Sequence, residues 1–172
     1  EATVEDADNA IQCALNVAPI WQATPPAERA AILERAADLM EAEIQPLMGL
    51  LAREAGKTFA NAIAEVREAV DFLRYYAVQA RNDLTNDAHR PLGPVVCISP
   101  WNFPLAIFSG QVAAALAAGN PVLAKPAEQT PLVAAQAVRI LLEAGIPEGV
   151  LQLLPGRGET VGVRLVGDDR VK

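Results

Sequence analysis

Two periods divide the chain. Through residue 80, apolar side chains recur every three or four positions: Leu33, Ala37, Met40, Ile44, Leu47 and Leu51 form one series, and Ile63, Val66, Val70, Leu73 and Ala77 form a second. That spacing predicts amphipathic helices. Ahead of the first series stands Thr24-Pro25-Pro26-Ala27-Glu28, in which a threonine cap, a proline for the first turn and an early acid all favour helix initiation. Pro46 is a candidate bend, and Gly56 a stop. On the second helix Glu65, Arg67, Glu68 and Arg74 are expected to face solvent. A shorter helix is expected over residues 6–18.

Residues 81–93 turn polar and read as a linker. Beyond them, short apolar runs at 95–99, 121–125 and 150–154 alternate with helical segments near 104–118 and 131–144. Gly119 and Gly145 sit where helices should end, and Thr130-Pro131 where one should begin. Strands alternating with helices in this way predict an α/β fold: a helical segment (1–80) followed by a parallel sheet with crossover helices (94–172). Ligands of such open sheets bind beyond the carboxyl ends of the strands. Three loops meet that rule: Ser99-Pro100-Trp101-Asn102, Lys125-Pro126-Ala127-Glu128 and Pro155-Gly156-Arg157-Gly158.

In the first loop Phe103 precedes a proline and is pushed towards extended backbone, while Pro104 suits the start of a helix. Asn102 is thereby held at a strand-to-helix junction. A rigid amide donor there is what an oxyanion hole requires, and capping the helix is its other reading. In the second loop an ammonium and a carboxylate three residues apart can donate to one ribose hydroxyl and accept from its neighbour, or can simply be surface charges. An acid beside a ribose also opposes a 2′-phosphate and so favours NAD over NADP. In the third, Gly156, Gly158 and Gly162 are one residue longer in spacing than the dinucleotide fingerprint, and serve either close approach of a ligand or plain turns.

Composition narrows the field. Of the 172 residues, 52% are hydrophobic, enough for a sizeable core, and no apolar run reaches the ~20 residues that cross a bilayer. No apolar leader opens the sequence, so a soluble, cytoplasmic protein is expected. The net charge of -7 lies in the first half, where 15 acidic residues face 8 basic ones, and no basic stripe suggests nucleic acid. Two distant cysteines, Cys13 and Cys97, and the single His89 suggest neither a disulfide framework nor a metal site. Cys97, flanked by Val95, Val96 and Ile98, reads as a buried strand residue rather than a nucleophile.

Taken together in this order, Pro100 to Pro104, Lys125 to Glu128 and the three glycines resemble the motifs of the aldehyde dehydrogenase superfamily. The two helical stretches and the short link before Gly93 look most like the dehydrogenase part of the proline utilization A family, whose chains also carry a flavin-dependent proline dehydrogenase. The resemblance implies a truncated aldehyde dehydrogenase fold with residues 94–172 as the first part of an NAD-binding, Rossmann-like domain. It further implies oxidation of L-glutamate γ-semialdehyde to glutamate, NAD as cofactor, FAD in an upstream domain, and a homo-oligomer. Asn102 would donate to the oxygen of the adduct formed when a cysteine attacks the aldehyde. Ile98, Ser99, Pro100 and Trp101 would line the cofactor cleft, Lys125, Ala127 and Glu128 would meet the adenine ribose, and Gly158 and Gly162 would admit the adenine end. The family's nucleophilic cysteine and base glutamate lie downstream of the glycine segment, so these residues are expected to be an inactive fragment with an exposed sheet edge. A superfamily dehydrogenase for another aldehyde, or a non-catalytic α/β interaction module, are the alternative readings.

Overall fold

Four helices come first in the computed structural model, which describes all 172 residues: α1 (Val4–Ala23), α2 (Pro26–Ala42), α3 (Ile44–Glu54) and α4 (Phe59–Asn82). Then follow β1 (Val95–Ile98), α5 (Ala106–Ala117), β2 (Val122–Lys125), α6 (Pro131–Glu143), β3 (Leu151–Leu153) and a π-helical turn, Gly158–Gly162, that runs into α7 (Val163–Val166). No helix is long and apolar enough to cross a membrane.

The helix starts and stops have identifiable causes, and several differ from the sequence expectation. α1 is longer than residues 6–18 because Thr3 and Asp6 form a reciprocal capping box, and it continues through Pro19. Thr24 does not cap α2; it ends α1, its hydroxyl donating to the Ile20 carbonyl at 3.0 Å. The break after α2 falls at Glu43 rather than Pro46. Proline lacks the N–H that would bond the Ala42 carbonyl, so the disruption appears one turn earlier. Gly56 does stop α3, at φ 66°, a left-handed conformation that suits glycine. α4 runs to Asn82, two residues into the polar segment.

The strands are parallel in the order β1-β2-β3, with Val95 opposite Val122, Ile98 opposite Lys125, and Val122 opposite Leu151. β2 is central and wholly buried. Its side chains alternate between two apolar clusters, as the pleat requires. Val122 and Ala124 join a core of 36 buried residues built with α2 to α6, while Leu123 joins a smaller one with Ala7, Ile11 and Ala14 of α1 and Val161 and Leu165 beyond β3. α2, α3 and α4 thus share the larger core with the sheet, and α1 packs mainly in the smaller one.

Two polar residues tie the layers. Arg29, only 2% exposed, donates through Nε to the Ala117 carbonyl at the end of α5 and through Nη1 to Thr24. Asn120 accepts from the N–H groups of Leu92 and Gly93 and so sets the entry into β1. On the outer edge of β1, Lys172 donates to the Pro94 carbonyl and accepts from Val96 N–H, the bonding of a parallel ladder. Beside that edge an apolar groove of about 600 Å³ runs between β1 and α5, past Leu92, Val95, Ile98, Ala114 and Ala118.

Candidate cofactor cleft and catalytic loop

β1 and β2 end side by side, and their last residues, Ile98 and Lys125, face each other in register. Beyond them lies a cleft of about 460 Å³ lined by Ile98, Lys125, Gly158, Gly162, Val163 and Val166. Glu128 is tied to its rim, its Oε1 accepting from the N–H of the lining residue Gly158 at 2.7 Å. The second and third loops are therefore joined through a carboxylate-to-backbone bond.

The glycine segment explains its own spacing. The N–H groups of Thr160, Val161 and Gly162 all converge on the Arg157 carbonyl, and Val163 N–H reaches Gly158. This wide π turn absorbs the extra residue between Gly158 and Gly162. A Cβ on Gly162 would lie 3.4 Å from Lys125 Cε, and one on Gly158 3.8 Å from Glu128 Oε1. Both glycines thus keep the backbone close to the charged residues of the second loop. Gly156 has a packing role: a Cβ there would lie 2.6 Å from Val161 Cγ2.

Lys125 is 4% exposed, and its ammonium donates to the Pro126 carbonyl alone, at 3.3 Å. No carboxylate pairs with it. A buried ammonium with one weak acceptor retains donors for an incoming oxygen-rich ligand. Ser99, at the exit of β1, is likewise buried with its hydroxyl unpartnered.

Of the four residues assigned from the first loop to the cleft, Ile98 lines it. Ser99 is buried, Pro100 is half-buried and Trp101 is 56% exposed, and none of the three lines it. Ala127 is half-buried between Lys125 and Glu128 and does not line the cleft. Asn102 is exposed and does not cap α5, whose cap position is Leu105. The N–H groups of Leu105 and Ala106 instead donate to Glu65 Oε1 at 2.9 and 3.3 Å. This overturns the expectation for Glu65: it is 2% exposed, inside the core face of α4. Ile63 is correspondingly turned out, at 40% exposed.

Sequence reasoning also missed Val163 and Val166 as cleft walls. Two apolar residues three apart directly after Gly162 were the available signal. Thr130 precedes α6 as expected but makes no cap bond; Glu54 supplies it, accepting from Leu132 and Val133. Burial pushes the Cys97 thiol up to about 12. It stays protonated at neutral pH, a poor nucleophile inside the strand.

The sequence profile of the aldehyde dehydrogenase family matches residues 1–172. The chain belongs to the aldehyde dehydrogenase family. It is 74% identical over its whole length to the bifunctional protein PutA of Escherichia coli, of which it spans 13%. It is 43% identical to the 1-pyrroline-5-carboxylate dehydrogenase of Anoxybacillus flavithermus, spanning 36% of that protein. The solved structure of a Thermus 1-pyrroline-5-carboxylate dehydrogenase with bound NAD superposes on the whole chain with a TM-score of 0.94 at 38% identity, again over 36% of that protein. The chain therefore has the fold of this family and spans a minor part of the relatives it matches.

Proposed function

We propose that this chain forms the first part of an NAD-dependent dehydrogenase, within a longer polypeptide, that oxidises L-glutamate γ-semialdehyde to L-glutamate. The aldehyde arises by hydrolysis of 1-pyrroline-5-carboxylate. The observation that carries this reading is the convergence of Ile98, Lys125, Glu128, Gly158 and Gly162 beyond the carboxyl ends of β1 and β2, with Asn102 on the next turn. The two relatives named for 1-pyrroline-5-carboxylate chemistry support the choice of aldehyde.

The cleft fits NAD. Lys125 carries spare donors, Glu128 is an acceptor fixed by one backbone bond, and the two glycines leave room beside both. The Lys125 ammonium would donate to one adenine-ribose hydroxyl and the Glu128 carboxylate accept from the other. Glu128 would also repel a 2′-phosphate, which favours NAD over NADP. Ala127 would set the spacing between them, Ile98, Ser99, Pro100 and Trp101 would border the cofactor, and Val163 and Val166 would exclude water from one wall. When bound, NAD supplies the hydride acceptor.

Asn102 is the catalytic residue of this segment. Its amide N–H would donate to the aldehyde oxygen as negative charge develops during attack by a cysteine elsewhere in the polypeptide. Cys97 is unsuited to that attack, being protonated and 5% exposed. A flavin-dependent proline dehydrogenase in the same polypeptide, a homo-oligomer and a cytoplasmic setting complete the proposal.

The test is an NAD-linked assay of the full polypeptide with glutamate semialdehyde beside a panel of simple aliphatic aldehydes. The highest kcat/KM should fall on glutamate semialdehyde. A clear preference for another aldehyde would leave the family and remove the substrate.

A further inference from the structure

The residue after Asn102 is gripped from outside the sheet. Gly56 reverses the chain after α3 and brings Lys57 to the start of α4, where its Nζ lies 4.1 Å from the centroid of the Phe103 ring. The same ammonium is 2.9 Å from Glu65 Oε2, the two side chains being 14% and 1% exposed. It approaches off the hydrogen-bonding direction, so the contact is Coulombic. The other Glu65 oxygen holds the N–H groups of Leu105 and Ala106. One buried ion pair therefore fixes the turn on both sides of Pro104: the aromatic ring before it through a cation–π contact, and the first amides of α5 after it.

We infer that Lys57 and Glu65 are positioning residues for Asn102, acting through Phe103 and the first turn of α5. The inference rests on the reading of Asn102 as an oxyanion donor. A donor of that kind is effective only if it need not reorganise, and a misplacement of about 1 Å can cost on the order of a hundredfold in rate. Asn102 itself is exposed and lies outside the helix, so its placement depends on its neighbours in the chain. Phe103, Leu105 and Ala106 are the neighbours that the pair holds.

The experiment is a double-mutant cycle in the full polypeptide, with kcat measured for Glu65→Gln and Lys57→Met in the parent and in an Asn102→Ala background. In the parent each should lower kcat by about ten- to a hundredfold, with the KM for NAD changed by less than about twofold. In the Asn102→Ala background each should cost less than about twofold more, because the group being positioned is gone. Lys57→Arg, which keeps the charge, should restore kcat to within about threefold of the parent. Equal losses in both backgrounds, or none in the parent, would overturn the inference while leaving Asn102 its role. An Asn102→Ala enzyme with full kcat would instead remove that role and the inference with it, before either partner is altered. Should Glu65→Gln fail to fold, the Lys57 variants complete the same cycle from the more exposed side of the pair.

Discussion

The loops after β1 and β3 leave the same carboxyl end of one parallel sheet, yet they are held in opposite ways. The first is short of backbone bonds of its own. It is fixed by side chains that reach in from α4 and the turn before it, through Glu65 and Lys57. The second is fixed by its own residues: four N–H groups close the wide turn from Arg157 into α7, the Thr160 hydroxyl also donates to the Arg157 carbonyl, and Glu128 attaches from a neighbouring loop. A reacting group needs a single orientation, which packed side chains impose. A cofactor needs close, unobstructed backbone, which glycines in a self-bonded turn provide.

Experiments on the full polypeptide can break that contrast. The largest effect should come from Asn102→Ala, which is expected to lower kcat by about 10²–10³ with KM for NAD nearly unchanged; steady-state kinetics read both, and a shift confined to KM would place Asn102 with the cofactor instead. Glu128→Gln keeps the acceptor for Gly158 but removes the charge that opposes a 2′-phosphate. The ratio of kcat/KM for NADP to that for NAD should rise by about tenfold, and an unchanged ratio would detach Glu128 from the ribose.

A third variant sharpens the second half of the contrast. Gly156→Ala forces a Cβ to within 2.6 Å of Val161 Cγ2. It should cost about 1–3 kcal/mol of stability, seen as earlier denaturant unfolding, with kcat unaffected. The smallest effect concerns Cys97. A thiol raised to about 12 by burial stays protonated through pH 10, so iodoacetamide should label it only after unfolding, as read by peptide mass spectrometry. Rapid labelling of the native protein at pH 8 would mean that β1 is open.

Much of this is legible in the sequence. The three strands and both crossover helices fall within two residues of their apolar runs, because a buried parallel strand must be continuously apolar and its helices must end in turn residues. The candidate site's charged residues were legible for the same reason: Lys125 ends the central strand and Glu128 lies in the loop after it, where the topology admits ligands. What the sequence concealed was the destination of Glu65. Charged residues on a helix are ordinarily solvated, yet Glu65 lies three residues after Ala62 and four before Ala69, both fully buried, so helical spacing places it on the core face. Its partners are 8 and 40 residues away in sequence, and no local pattern records them. The wide turn at Gly158 was hidden similarly: the spacing departs from the fingerprint, and only the converging amides show how the extra residue is absorbed.

The division of labour between the loop after β1 and the cofactor seat beyond β2 and β3 is tested most directly by calorimetric titration of NAD, without aldehyde, into the Lys125→Met and Asn102→Ala forms of the full polypeptide. Lys125→Met should bind NAD about tenfold more weakly, the loss of one charge-assisted hydrogen bond, and Asn102→Ala should match the parent within about twofold. Equal losses in the two variants, or a loss in Asn102→Ala alone, would contradict a cofactor seat built on the second and third loops and a separate reacting group on the first.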